Sequence, residues 1–155
     1  MRNPDKPRTW GLTSIPFNFP HLITGVVNDL NAMDKYDDAI TAYDEAIRLD
    51  PNYALTWYNK GNGLKNLGKY DEAIQACNKS IELDPNNAYA WDSKGEALRR
   101  QGKYKEAIQA LDKAIELDPN LADAWNNKSK ALKALGRTTE SNAAFAKAKE
   151  LGYTG

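Results

Sequence analysis

The strongest constraint on the fold of this chain is an internal repeat of 34 residues. Residues 54–87 and 88–121 are identical at 20 of 34 aligned positions, among them Trp57 with Trp91, and both units contain Asp-Pro-Asn near their ends. A fixed period of this length is typical of a stacked array, since no single unit can bury its apolar face alone. The sequence therefore predicts an extended scaffold with a long accessible surface.

The period continues on both sides of these two units in a weaker form. Residues 122–155 begin in register with Trp125 and then drift, whereas residues 20–53 keep only the second half of the unit. Terminal repeats are expected to be atypical because one of their faces meets solvent. We predict an irregular, proline-rich arm over residues 1–19, followed by repeats at 20–53, 54–87, 88–121 and 122–155; the same pattern also fits a piece of a longer array.

Each unit has the pattern of two antiparallel helices joined by a short turn. Gly68 lies where a first helix would end with a left-handed residue, and Pro85 is expected to start the helix of the next unit. Cys77 occupies a core position, so we interpret it as a buried thiol, and a single cysteine excludes an internal disulfide. The apolar face of the first helix comprises Ala54, Trp57, Gly61 and Leu64, and that of the second comprises Ala73, Ile74, Cys77 and Ile81.

These residues resemble the tetratricopeptide repeat family over roughly residues 20–155. The family pattern appears as Trp57, Gly61 and Leu64, then Ala73 and Cys77, then Pro85, and it recurs one period later. Lys60 and Lys94 stand where the family has leucine, and their stems can lie along the seam between helices. The resemblance implies an all-α fold, a right-handed superhelix or α-solenoid. It also implies partner binding in a concave groove lined by first helices, without enzymatic activity.

Sequence features that would support other functions are weak. One histidine and one cysteine cannot supply a zinc site or a catalytic triad, and the recurring carboxylates are explained by helix ends. We therefore predict no enzyme activity, no metal and no cofactor. A net charge of zero argues against nucleic acid as a partner, and no apolar run is long enough to cross a membrane. We expect a cytoplasmic protein that binds neither nucleic acid nor membrane.

The groove can be assigned from helical geometry, because positions two, five, nine and twelve of each first helix lie opposite its core face. These positions carry two tyrosines, several polar side chains and a row of cations along one rim. The alternative is that they are only the solvated faces of a near-consensus array. The candidate binding residues are Leu55, Tyr58, Asn62, Lys65, Tyr89, Asp92, Glu96, Arg99, Arg100, Asn126, Lys130 and Lys133.

The resemblance also allows one class of ligand to be considered. Family members that capture the C-terminal carboxylates of chaperones use lysine, asparagine and arginine at defined groove positions. No cation stands at those positions in either possible frame, so binding of chaperone tails is not expected. The positions hold Thr24, Asn28, Asn59, Tyr89 and Ser93 in the first frame, and Tyr58, Asn62, Ser93, Asp123 and Asn127 in the second.

Self-assembly is the alternative function. The formal charge runs from −5 in residues 20–53 to +3 in residues 122–155, which favours head-to-tail approach of two copies. The last unit would also leave the docking surface for a further repeat partly bare. The residues assigned to self-association are Trp10, Phe17 and Phe19 of the arm, and Trp125, Leu132, Phe145 and Leu151 of the last unit.

Overall fold

The structure, a computed structural model, describes residues 36–155. This part of the chain is all-α and contains no strand. The predicted arm, with Trp10, Phe17 and Phe19, lies outside the described residues, as does the first helix predicted for the first unit. The helices are α1 (Tyr36–Leu49), α2 (Ala54–Asn66), α3 (Tyr70–Leu83), α4 (Ala88–Arg100), α5 (Tyr104–Leu117), α6 (Ala122–Ala134) and α7 (Thr138–Glu150).

The turns inside and between the units follow from a few residues. Gly68 has φ of 76°, and the N–H of Lys69 behind it donates to the carbonyl oxygen of Leu64, so the predicted left-handed helix end is confirmed. Pro85, in contrast, does not start α4, which begins at Ala88. That prediction is wrong because Asp-Pro-Asn forms its own turn, in which the side chain of Asp84 accepts from the N–H of Asn86 at 3.1 Å.

The helices stack as an α-solenoid with an inner and an outer layer. The first helices α2, α4 and α6 approach one another in succession, whereas the backbones of α1, α3, α5 and α7 lie farther apart from one another. The second helices α3, α5 and α7 pack against the first helix of their own unit, and α1, α3 and α5 pack against the first helix of the next unit. The first helices therefore form the concave face of the array, and the second helices diverge on its outer side.

Small residues bring the two helices of a unit close together. A Cβ atom at Gly61 would lie 2.7 Å from the Sγ of Cys77, and one at Gly95 would lie 2.6 Å from the Cγ of Leu111. Cys77 and Leu111 are both fully buried, which confirms the core assignment of the cysteine position. Substitution of either glycine would force the helices apart.

Tryptophan links each unit to the turn that precedes it. The Nε1 of Trp57, Trp91 and Trp125 donates to the carbonyl oxygen of Pro51, Pro85 and Pro119 at 2.9, 3.1 and 2.9 Å. The indole thus satisfies its polar atom while its ring packs against the core. This contact recurs in these three units and ties each of them to the turn before it.

Candidate binding surface

Two large hydrophobic side chains are exposed on the concave face. Leu55 on α2 is 38% exposed and Tyr89 on α4 is 54% exposed. The ring of Tyr58 lies between these two helices, with its centroid 6.4 Å from that of Tyr89. Burial and the negative charge of Asp92 raise the pKa of Tyr58, so its hydroxyl remains a neutral donor. We call Leu55, Tyr58 and Tyr89 the apolar patch.

A basic cluster lies farther along α2 and α4, toward their C-terminal ends, and is organised around one carboxylate. The Nζ of Lys65 on α2 donates to the Oε2 of Glu96 on α4 at 2.7 Å, and Arg100 approaches the Oε1 at 3.3 Å. Arg99 lies 3.7 Å from the same carboxylate. Burial alone would raise the pKa of Glu96, but Lys65 and Arg100 outweigh it and hold the pKa below the usual value. Three cations around one carboxylate leave this region positive.

The predicted row of cations along one rim is only partly exposed. The side chains of Lys65 and Arg99 are only 13% and 15% exposed, and both lie against the carboxylate of Glu96. The Nε of Arg99 is buried and has no hydrogen-bond partner among the described residues. Exposed cationic side chains at the predicted positions are those of Arg100, Lys130 and Lys133.

Two predicted groove residues are buried between first helices and cannot reach a partner. Asp92 and Asn126 are 9% and 4% exposed, since their short side chains do not extend past the neighbouring helix. The Nδ2 of Asn127 on α6 donates to the Oδ1 of Asp92 on α4 at 3.0 Å. Burial raises the pKa of Asp92 to about 6, against the opposing effect of this hydrogen bond. Asp92 therefore joins two helices and does not line an open groove.

The end of the array is less bare than the sequence suggested. Leu132 is 1% exposed because it packs inside its own unit, so it offers no surface to another copy. The ring of Tyr153, beyond α7, meets the edge of Phe145 with centroids 6.3 Å apart and lies 5.9 Å from the Nζ of Lys130. Trp125, Phe145 and Leu151 remain half-buried. Self-association through this end stays a prediction, and the apolar surface available for it is smaller than the sequence indicated.

The structure also has a recess on the outer side, between α3 and α5, which the sequence did not predict. It has a volume of about 610 Å³, and α4 contributes Trp91 and Lys94 to it. A signal for it existed in the repeat alignment, where Asn78 replaces the aspartate found at Asp44 and Asp112. The other lining residues are Asp71, Ile74, Gln75, Leu98, Lys103, Glu106, Gln109, Ala110 and Lys113.

Reactive chemistry is not concentrated on either surface. Burial raises the pKa of the Cys77 thiol to about 12, which makes it a poor nucleophile. Within residues 36–155, no group of three histidine, cysteine or acidic side chains is arranged to hold a metal ion. No helix in the same range has the length and apolar character needed to cross a membrane. The two surfaces offer hydrogen bonds, charge and apolar contact, which are the means of noncovalent binding.

Family models match most of the repeat region. A model described as TPR repeat matches residues 28–68 and 95–136, and models described as tetratricopeptide repeat match residues 54–87, 76–109 and 122–151. The chain belongs to the tetratricopeptide repeat family. The family predicted from the sequence is thereby confirmed, and its members are typically non-catalytic interaction scaffolds. No curated protein sequence matches this TPR array at a significant level.

Solved structures agree with the fold of this TPR array. MamA from Desulfovibrio magneticus RS-1, from residue 41 to its end, superposes with a TM-score of 0.76 at 23% identity, over 85% of this chain and 75% of that chain. The first TPR domain of human RPAP3 gives a TM-score of 0.73 at 26% identity, over 79% of this chain and 96% of that one. The first TPR of Spaghetti (RPAP3), bound to the HSP90 peptide SRMEEVD, gives 0.72 at 26% identity, over 76% and 93%.

The last of these structures bears on the expectation about chaperone tails. Its peptide is acidic and comes from a chaperone, so an array of related fold does bind such a ligand. The cations expected for this purpose are nevertheless missing from the corresponding positions here, where Ser93 and Asn127 are buried. Exclusion of chaperone tails therefore remains a prediction, and this peptide is a direct probe of it.

Proposed function

We propose that this protein is a non-catalytic scaffold that binds a peptide segment of a partner protein on its concave face. The observation that carries the proposal is the exposure of Leu55 and Tyr89. The large hydrophobic residues exposed within residues 36–155 are Leu49, Leu55 and Tyr89, and two of these three lie together on the concave face. Exposed apolar clusters with a polar rim are typical of interaction sites.

The basic cluster indicates which kind of peptide would fit this face. Arg100 is exposed at the C-terminal end of α4, about 16 Å along the helix from Tyr89, and Lys130 and Lys133 are exposed on α6. A segment with an apolar or aromatic side chain followed by acidic side chains would fit both features. Tyrosine and arginine contribute strongly to binding energy at interfaces, which is why this region is favoured over other parts of the surface.

The internal bonds between first helices support recognition of a fixed shape. Lys65 with Glu96 joins α2 to α4, and Asp92 with Asn127 joins α4 to α6. A face held in this way loses little conformational freedom when a peptide binds. The mostly buried Lys65 thus acts mainly by positioning the helices, while Tyr58, Tyr89 and Arg100 would contact the ligand.

The experiment uses a library of random dodecapeptides displayed on phage and selected on the wild-type protein. Selected sequences are then tested on the double variant Leu55→Ser/Tyr89→Ser, which should lose them. The matched control is Leu49→Ser, since Leu49 is 50% exposed on α1 and does not belong to the apolar patch. Because all three side chains are exposed, each variant should keep the helical circular dichroism of the wild type.

Loss of binding in the double variant but not in the control supports the concave site. Retention in both variants contradicts it. The synthetic peptide SRMEEVD is measured in parallel by fluorescence anisotropy. We expect only weak binding, and a dissociation constant in the low micromolar range would show that this array captures chaperone tails without the expected cations.

A further inference from the structure

A lysine, a tryptophan and an aspartate form a recurring group on the outer side of the array. The Nζ of Lys60 lies 5.8 Å from the ring centroid of Trp57 and 2.5 Å from the Oδ1 of Asp44. At the junction between α5 and α6, the Nζ of Lys128 lies 5.5 Å from the ring centroid of Trp125 and 2.7 Å from the Oδ1 of Asp112. In both groups, the second helix of one unit supplies the carboxylate and the first helix of the next unit supplies the cation.

The middle junction has the cation without the carboxylate. Lys94 lies 5.2 Å from the ring centroid of Trp91, but the residue equivalent to the two aspartates is Asn78. Among residues 36–155, no carboxylate oxygen lies within 4.0 Å of the Nζ of Lys94, the distance that defines an ion pair. The ring holds this ammonium in position, so a binding partner would not have to order it.

The unpaired ammonium faces the recess between α3 and α5. Asn78, Trp91 and Lys94 all line its volume of about 610 Å³, which lies within the range of ligand-binding cavities. Ile74 and Leu98 add apolar wall to the same recess.

The remaining charges around the recess do not neutralise Lys94. The carboxylate of Asp71 already accepts from the Nε2 of Gln101 at 2.7 Å. Lys113 is already paired with Glu116 at 2.8 Å, which leaves Lys94 and Lys103 in the lining together with Asp71 and Glu106. The charges of the lining are therefore balanced overall, but the ammonium of Lys94 has no carboxylate at ion-pair distance among the described residues, and the apolar wall adjoins it.

We propose that this recess binds an acidic side chain from a peptide segment of a partner protein. The partner's carboxylate pairs with Lys94 and takes the place that Asp44 and Asp112 occupy in the neighbouring groups. An adjacent apolar side chain of the partner packs against Ile74 and Leu98. This site is on the side of the array opposite the concave face, so the scaffold has two binding surfaces.

The decisive variant is Asn78→Asp. It supplies the missing carboxylate from within the chain and reproduces a group that the structure already contains twice, so the fold is kept. Dodecapeptides selected from the phage library on wild type are tested on this variant and on Lys94→Met. Sequences bound at this recess should contain aspartate or glutamate and lose roughly tenfold or more in affinity with either substitution.

Asp112→Asn provides the reciprocal control. It removes the internal partner of Lys128 and should create a second site of the same kind between α5 and α7. Titration of the wild type with a selected acidic peptide should give one bound peptide, and titration of Asp112→Asn should give two. If Asp112→Asn gains no binding, an unpaired lysine on tryptophan is insufficient and the proposal fails.

The indole N–H signals locate the peptide. In ¹⁵N-labelled protein, an acidic peptide should shift the Nε1–H signal of Trp91 and leave those of Trp57 and Trp125 in place. The concave variant Leu55→Ser/Tyr89→Ser should preserve this shift, so failure of one proposed site is distinguishable from failure of the other. The proposal is overturned if no selected peptide depends on Asn78 and Lys94, if citrate alone shifts Trp91 to the same extent, or if the wild type dimerises through this recess and Asn78→Asp abolishes the dimer.

Discussion

The concave and outer sides of this array are built from the same 34-residue unit, but they use it differently. On the outer side the contacts recur, with tryptophan donating to a proline carbonyl and lysine lying over the tryptophan ring in each of three units. On the concave face each junction is different, with Lys65–Glu96 at one and Asp92–Asn127 at the next. The recurring positions build the framework, and we infer that the departures from the repeat mark the surfaces that recognise a partner.

Substitution of neighbouring aromatic residues tests this division with the largest expected effect. Trp91→Ala removes a ring that packs against the core and an indole N–H bonded to Pro85, and it should lower the free energy of unfolding by about 3–5 kcal/mol. Tyr89→Ala removes a ring that is 54% exposed and should change it by less than about 0.5 kcal/mol. Urea denaturation followed by circular dichroism measures both. Equal losses of unfolding free energy in the two variants would mean that Tyr89 is as much a part of the core as Trp91.

Close contact between the helices of a unit is the next test. A Cβ at Gly95 would lie 2.6 and 2.8 Å from the Cγ and Cδ2 of the fully buried Leu111 and 3.3 Å from the carbonyl oxygen of Ala107. Gly95→Ala should therefore cost about 1–3 kcal/mol of stability, although alanine favours a helix more than glycine does. In the background Leu111→Ala, the same glycine substitution should cost less. A stabilising effect of Gly95→Ala alone would show that α4 and α5 can separate freely.

The buried carboxylate on the concave face predicts a specific pH dependence. The pKa of Asp92 is raised from 3.8 to about 6, mainly by burial, so the native protein holds a proton that the unfolded chain has already lost in this range. The stability from this proton is fully present below about pH 4 and is lost as the pH rises through about 6.

Asp92→Asn should therefore raise the free energy of unfolding at pH 7 by about 1–3 kcal/mol and have little effect near pH 4. Urea denaturation at pH 4.5, 6 and 7 measures the difference from wild type. The control is Asp38→Asn, which removes an exposed carboxylate from α1 and should shift stability by the same small amount at each pH above 4.5. A destabilising Asp92→Asn at pH 7 would indicate that the charge of Asp92 is required.

Much of the architecture could be predicted because its causes are local and repeat. Gly68, Cys77 and Trp57 follow from helix ends and from the period of apolar residues, and the structure places them as expected. Pro85 was misplaced because the turn depends on a side-chain bond from Asp84, which the proline pattern does not reveal. The candidate groove was predicted less well because helical geometry gives the face of a residue but not the depth to which a neighbouring helix covers it.

Asp92 and Asn126 illustrate that limit. They share position five of the unit with Tyr58, yet only the long tyrosine side chain extends past the neighbouring helix. The outer recess was overlooked for a different reason. The repeat alignment shows Asn78 in the place of Asp44 and Asp112, but only the structure shows that both aspartates pair with a lysine.

The end of the array gives the smallest expected effect. Tyr153→Ala would uncover part of Phe145, whose ring it meets at 6.3 Å, and should cost about 1 kcal/mol in stability. If head-to-tail assembly through this end is real, the variant should also show a rise of apparent mass with concentration in light scattering. A mass of 17.3 kDa at every concentration from low salt to 1 M, in both the variant and the wild type, would exclude this end as an interface.

The central claim is that the unrepeated residues of the concave face bind the partner peptide. The most direct measurement is amide chemical-shift mapping of ¹⁵N-labelled protein with a selected dodecapeptide whose capture is lost in Leu55→Ser/Tyr89→Ser. The account predicts the largest shifts on α2 and α4, around Leu55, Tyr58, Tyr89 and Arg100, with smaller shifts along α6 near Lys130. Shifts concentrated on the second helices α1, α3, α5 and α7, with the concave face unchanged, would contradict it.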